Sequence, residues 1–167
     1  MKRKQSWFLI TLCIVGSFFI FSGCGADVSQ SSKETKMAHN AMSGDIQEET
    51  TSEQLPSFLS GENETVKEAY RTALMHHDLI TSIPCYCGCG MSAGHENNKD
   101  CFIKEIKENG NVVWDSHGMK CYACQQIAME SAKLKAEGKT PLQIRTIIDD
   151  LYQNGYGEPT PTPMPAG

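Results

Sequence analysis

Six of the chain's eight cysteines fall within forty residues: Cys85, Cys87, Cys89, Cys101, Cys121 and Cys124. Three are crowded into Pro84-Cys-Tyr-Cys-Gly-Cys-Gly90, one stands alone, and two form Cys121-Tyr-Ala-Cys124. Packing rarely needs thiols at this density, so the fold has to gather these sulfurs around something or pair them. Alternate residues of an extended chain point to opposite faces. The thiols of Cys85-x-Cys87-x-Cys89 therefore converge only where the backbone wraps about a centre, and Gly88 and Gly90 give it the freedom to do so. Disulfides between such near neighbours would be strained, and each of the three would need a distant partner instead.

The second group has a different character. Cys121 and Cys124 open a predicted helix, whose dipole favours thiolate. Their spacing serves metal sites and dithiol redox pairs equally well. His95 and His117 lie in the same interval and can ligate as neutral imidazoles. The candidate metal ligands are thus Cys85, Cys87, Cys89, His95, Cys101, His117, Cys121 and Cys124, enough for two tetrahedral zinc sites.

Three chemistries fit this set. The leading one is binding of a thiophilic ion, Cu(I) or Zn(II), for metal handling or delivery. The second is thiol–disulfide exchange at Cys121 and Cys124. The third is a non-catalytic interaction domain stapled by three disulfides, for which six cysteines allow 15 pairings. Tyr86, Trp114 and Tyr122 are the expected walls of the centre, and Met91, Met119 and Met129 are its nearest thioethers. No Ser-His-Asp spacing, phosphate loop or Gly-x-Gly-x-x-Gly occurs, so no catalytic residue is assigned outside the redox alternative.

The first residues read as an export signal. Met1-Lys-Arg-Lys4 is basic, an apolar run extends from Trp7 to Phe21, and small residues precede Cys24. The run is short for a membrane span, which takes about 20 apolar residues. Phe21-Ser-Gly-Cys24 resembles the lipobox of bacterial lipoproteins, and that resemblance implies cleavage after residue 23 and lipidation (palmitate among the acyl groups) of Cys24. Cleavage would take Lys2, Arg3 and Lys4 from the chain's 15 Lys and Arg and none of its 20 Asp and Glu, leaving a formal net charge of −8. With no basic patch, nucleic acid is not an expected partner. The expected location is the extracytoplasmic face of a cell membrane, tethered through Cys24, where disulfides are allowed.

The expected domains follow from composition. Residues 24–57 are dominated by Ser, Thr, Glu, Gln, Asp and Lys and read as a disordered spacer after the lipidated cysteine. Residues 158–167 form a Pro-rich tail, expected to be extended and disordered. Between them, 58–157 has the size of one small domain. Helical periodicity appears over about 62–80, after Asp100 with Phe102, Ile103 and Ile106 inward, over 121–137, and after Thr140-Pro-Leu-Gln143. Val112-Val-Trp114 is a short extended piece. The predicted fold is all-α, a small bundle of about four helices with one long Cys/Gly-rich loop.

Pro84-Cys-Tyr-Cys-Gly-Cys89, Gly94-His95, Cys101-Phe102, His117, Cys121-x-x-Cys124 and Ile144-Arg145 with Tyr156-Gly157 together resemble the bacterial PCYCGC-motif lipoprotein family. The resemblance spans about 65–157; it implies a lipoprotein context and leaves the chemistry open. A second similarity rests on Cys121-x-x-Cys124-Gln125, Gly138-Lys-Thr and Ile144-Arg145. These look like the helical thiol subunit of cytochrome c maturation, which would make Cys121 and Cys124 a redox pair. Four further cysteines depart from that pattern and favour metal binding.

Overall fold

The computed structural model describes residues 36–166, so the predicted signal segment and Cys24 lie outside the described residues. The polypeptide runs β1 (Met37–His39), β2 (Ile46–Thr51), α1 (Glu64–Met75), α2 (His77–Ile80), β3 (Ile103–Ile106), β4 (Asn111–Asp115), α3 (Tyr122–Ala136) and α4 (Pro141–Tyr152). The strands form one antiparallel sheet in the order β1-β2-β4-β3. The fold is therefore α/β, and the expectation of an all-α bundle is wrong.

Two of the four strands, β1 and β2, lie inside the 24–57 stretch whose composition suggested a spacer. The reason is visible in the side chains that β2 turns inward, which are Glu48 and Thr50 rather than apolar residues. Each is satisfied by hydrogen bonds. Glu48 accepts from the Ser57 backbone N–H and hydroxyl at 2.8 Å, and Trp114 Nε1 donates to Thr50 Oγ1 at 2.7 Å. A buried polar group costs little once paired, so a strand can be central without an apolar face.

The segment after Asp100 is a 3₁₀ turn, Asn98–Cys101, leading directly into β3, and not a helix. A register shift between Ile103 and Glu105 breaks the strict alternation that would have marked a strand. Gly110, expected to end a helix, has φ +81° and closes the β3–β4 hairpin instead.

The other helices stand close to their expected places. Asn63 caps α1 by accepting from Val66 N at 3.1 Å, and α4 opens with the capping box of Thr140 and Gln143. Buried Val66, Ala69, Tyr70 and Ala73 of α1 pack with Val112 and Trp114 of β4, Phe102, and Cys124 and Ala128 of α3. Tyr70 donates its hydroxyl to the Asp115 carbonyl at 2.7 Å, locking α1 to the end of β4. A second layer joins the other flank of α3 to α4 through Ile127, Leu134, Ile144 and Ile148, with Tyr86 beneath. Among the described residues, no helix is long and apolar enough to cross a membrane.

The tail is the other departure from expectation. Thr160 and Thr162 are buried, and the backbone of residues 157–160 lies along the cysteine loop. Gly157 N donates to the Tyr86 carbonyl at 2.8 Å and Thr160 N to the Cys85 carbonyl at 3.1 Å. Cys85 N in turn donates to Thr160 Oγ1 at 2.9 Å. Arg145 holds the end down by donating to the carbonyls of Thr162 and Pro163. Proline prevents the tail from forming regular structure, but the intervening threonines and carbonyls can still be bonded.

Candidate metal centre

The four cysteines enter the core from three different parts of the chain. Cys85 and Cys87 come from the loop after Pro84, Cys101 from the 3₁₀ turn before β3, and Cys124 from the first turn of α3. Cys85, Cys101 and Cys124 are fully buried and count among the core residues of the α1–sheet–α3 layer. Their sulfurs and that of Cys87 all lie within 4.8 Å of one another. Individual separations are 2.9 Å for Cys85–Cys87, 3.1 Å for Cys101–Cys124, 3.5 Å for Cys85–Cys101 and 3.6 Å for Cys85–Cys124. These fall between the ~2.05 Å of a disulfide and the ~3.8 Å edge of a tetrahedron built on ~2.3 Å zinc–sulfur bonds.

A second group shares one member with the first. The ligand atoms of Cys87, Cys89 and His117 also lie within 4.8 Å of one another. The loop achieves this because Gly88 takes φ +75°, a conformation that reverses the chain between Cys87 and Cys89. Cys121, at the N-cap of α3, sits beside Cys87 and Cys124.

The histidines divide. His117 belongs to the second group and presents Nδ1 to Asp45 Oδ2 at 2.7 Å, which leaves Nε2 as the ring nitrogen available for a metal. This carboxylate–imidazole–metal arrangement fixes the tautomer and strengthens the ligand. His95 belongs to neither group. It is buried, packs edge-on to His117 with ring centroids 4.6 Å apart, and lies with Nδ1 3.5 Å from Cys101 Sγ. Its Nε2 is buried without a hydrogen-bond partner.

Proton affinities follow the contacts. The Cys101 and Cys124 thiols donate toward Cys85, and they outweigh its own contact with Cys87 and its burial, so its pKa falls to about 6. Cys87 is lowered furthest, because Cys101, Cys121, Cys124 and Cys85 all face it as donors. The cost appears elsewhere. Cys124 is raised by its contact with Cys101, by the other three sulfurs around it and by burial. Cys101 is lowered by its contact with Cys124, but its contacts with Cys85 and Cys87 and its complete burial prevail and raise it. At Cys121 a bond from Cys124 lowers the pKa, but Cys87 and burial prevail and hold it at about 11. The helix-start thiolate expected at Cys121 is thus overridden by neighbouring sulfur. His117 rises to about 9 through its contact with Cys87 and then Asp45, against the effect of burial.

Asp45 had no signal in the sequence, since it lies in a polar stretch and finds His117 only through the sheet. Tyr86 and Trp114 are buried, as walls should be, but Tyr122 is exposed on the outer face of α3. Met119 and Met129 pack against the core, and Met91 is 91% exposed and so lines nothing.

The family model described as "Protein of unknown function with PCYCGC motif" matches residues 12–165, and the chain belongs to that family. No curated protein and no solved structure matches it, and the similarity to the cytochrome c maturation subunit finds no support.

Proposed function

We propose that this member of the PCYCGC-motif family is a membrane-anchored extracytoplasmic lipoprotein that binds a thiophilic metal ion, Cu(I) or Zn(II), and handles or delivers it. The observation that carries the metal reading is the mutual convergence of four sulfurs from three parts of the chain distant in sequence. Paired disulfides would give each sulfur one near partner. Cys85 instead has three, at 2.9, 3.5 and 3.6 Å. A single ion satisfies all four contacts at once. Cys121 is the more accessible thiol of the Cys121–Cys124 pair. Against the lowering contact with Cys124, Cys87 and burial hold its pKa up at about 11, which speaks against a redox pair that needs an accessible, low-pKa thiol. The lipoprotein part rests on the basic start, the apolar run and Cys24.

Native mass spectrometry of the full chain, purified without oxygen or added metal, tests the metal reading. An adduct of one or two zinc or copper ions on the fully reduced mass is expected and names the ion. A mass lower by about two daltons per cysteine pair with no adduct would replace the metal with disulfides. Incorporation of labelled palmitate, abolished in Cys24→Ser, tests the anchor; label retained in that variant would remove Cys24 from the reading.

A further inference from the structure

We infer that the centre holds two metal ions joined by the thiolate of Cys87. The inference rests on the metal reading above and concerns how the ligands are divided. The two ligand groups are Cys85, Cys87, Cys101, Cys124 and Cys87, Cys89, His117, and Cys87 is their common member. The first is a complete four-thiolate set for a tetrahedral ion. The second has three half-buried ligands, Cys87 and Cys89 from the loop and His117 from the turn after β4, with the thiol of Cys121 also beside Cys87.

The sharing follows from the chain's geometry. Cys85 and Cys89 lie on either side of Cys87, and the turn at Gly88 carries Cys89 away from the buried quartet and toward His117. Two separate mononuclear sites would need Cys87 to belong to one group only, yet its sulfur meets the same distance limit in both. A thiolate keeps lone pairs after binding one ion and can bind a second. Bridging also spreads the charge of the crowded sulfurs over two cations, which a single ion among five or six neighbouring thiols could not do as well. The Asp45–His117 pair then has a definite place, as support for the outer ion, with His117 Nδ1 held at 2.7 Å and the other nitrogen left for the metal. His95, bonded to Cys101, supports the inner one.

Cobalt(II) is the probe, because its thiolate complexes absorb strongly and two high-spin ions sharing a thiolate couple magnetically. The full reduced chain would be titrated with Co(II), following thiolate-to-metal absorbance and the electron paramagnetic resonance signal together. Two ions per chain are expected, with the resonance at saturation well below the sum for two isolated ions. Cys89→Ala should bind one ion and show its full, uncoupled signal; Cys87→Ala should bind no more than one and show no coupling. Two ions with additive signals, or one ion only in the unaltered chain, would overturn the bridge and leave metal binding standing. Absence of any thiolate-to-cobalt absorbance, together with no zinc or copper adduct in the native mass spectrum, would overturn the metal reading itself.

Discussion

The buried quartet and the outer trio share Cys87 but are made by different means. Cys85, Cys101 and Cys124 are core residues, packed with Tyr70, Phe102 and Trp114, so the quartet is assembled by the same burial that forms the domain. Cys89 and His117 are only half-buried, and their placement depends on a glycine turn and on Asp45. The contrast teaches that an ion in the quartet is coupled to folding, and an ion in the trio is coupled mainly to local order.

Substitutions should separate the two. Cys124→Ser is expected to have the largest effect. It removes a ligand and leaves a hydroxyl in an apolar site, and loss of an ion held at a thousandfold excess over its Kd removes about 4 kcal/mol of stability. Thermal melts with and without a chelator should then nearly coincide, whereas a large chelator effect in this variant would erase the distinction. Cys89→Ala should lose one ion while the metal-free chain stays within about 0.5 kcal/mol of the original; denaturant unfolding of the metal-free forms decides it.

Gly157→Ala probes what covers the quartet. A Cβ there would meet Gly88 N at 2.5 Å, so the tail has to shift, at roughly 1–3 kcal/mol. Faster labelling of Cys85 by a thiol reagent is expected, and unchanged labelling would mean that the tail is not the cover. The smallest effect is reserved for Asp45→Asn, which keeps the bond to His117 and removes the charge. It should weaken the outer ion roughly 10- to 100-fold and leave the inner one unchanged in a competition titration with a chelator. Equal weakening of both ions would show that the two groups act as one.

The sequence announced the sulfurs more clearly than the scaffold that gathers them. Helices α1, α3 and α4 were legible because their apolar periods and caps are local, as in Thr140-Pro-Leu-Gln143. Strand β2 was not, because its inward residues Glu48 and Thr50 are polar and become acceptable only through Ser57 and Trp114, partners 9 and 64 residues away. Asn109-Gly110 was a usable hairpin signal for β3 and β4, masked by a bulge that mimics helical spacing. His95 and His117 looked equivalent along the chain; only the fold, by bringing up Asp45, distinguishes the one within a ligand group from the one beside it.

The bond between Thr160 and Cys85 also has a kinetic meaning. It spans 75 residues, whereas Cys85 and Cys124 are 39 apart, and about a doubling of loop length adds roughly 0.6 kcal/mol of closure entropy. The sulfurs are therefore expected to gather before the tail settles over them, giving an incoming ion an interval in which the centre is formed but uncovered. Pulse labelling of thiols during refolding should show Cys85 becoming protected in two stages, the second absent when residues 158–167 are removed.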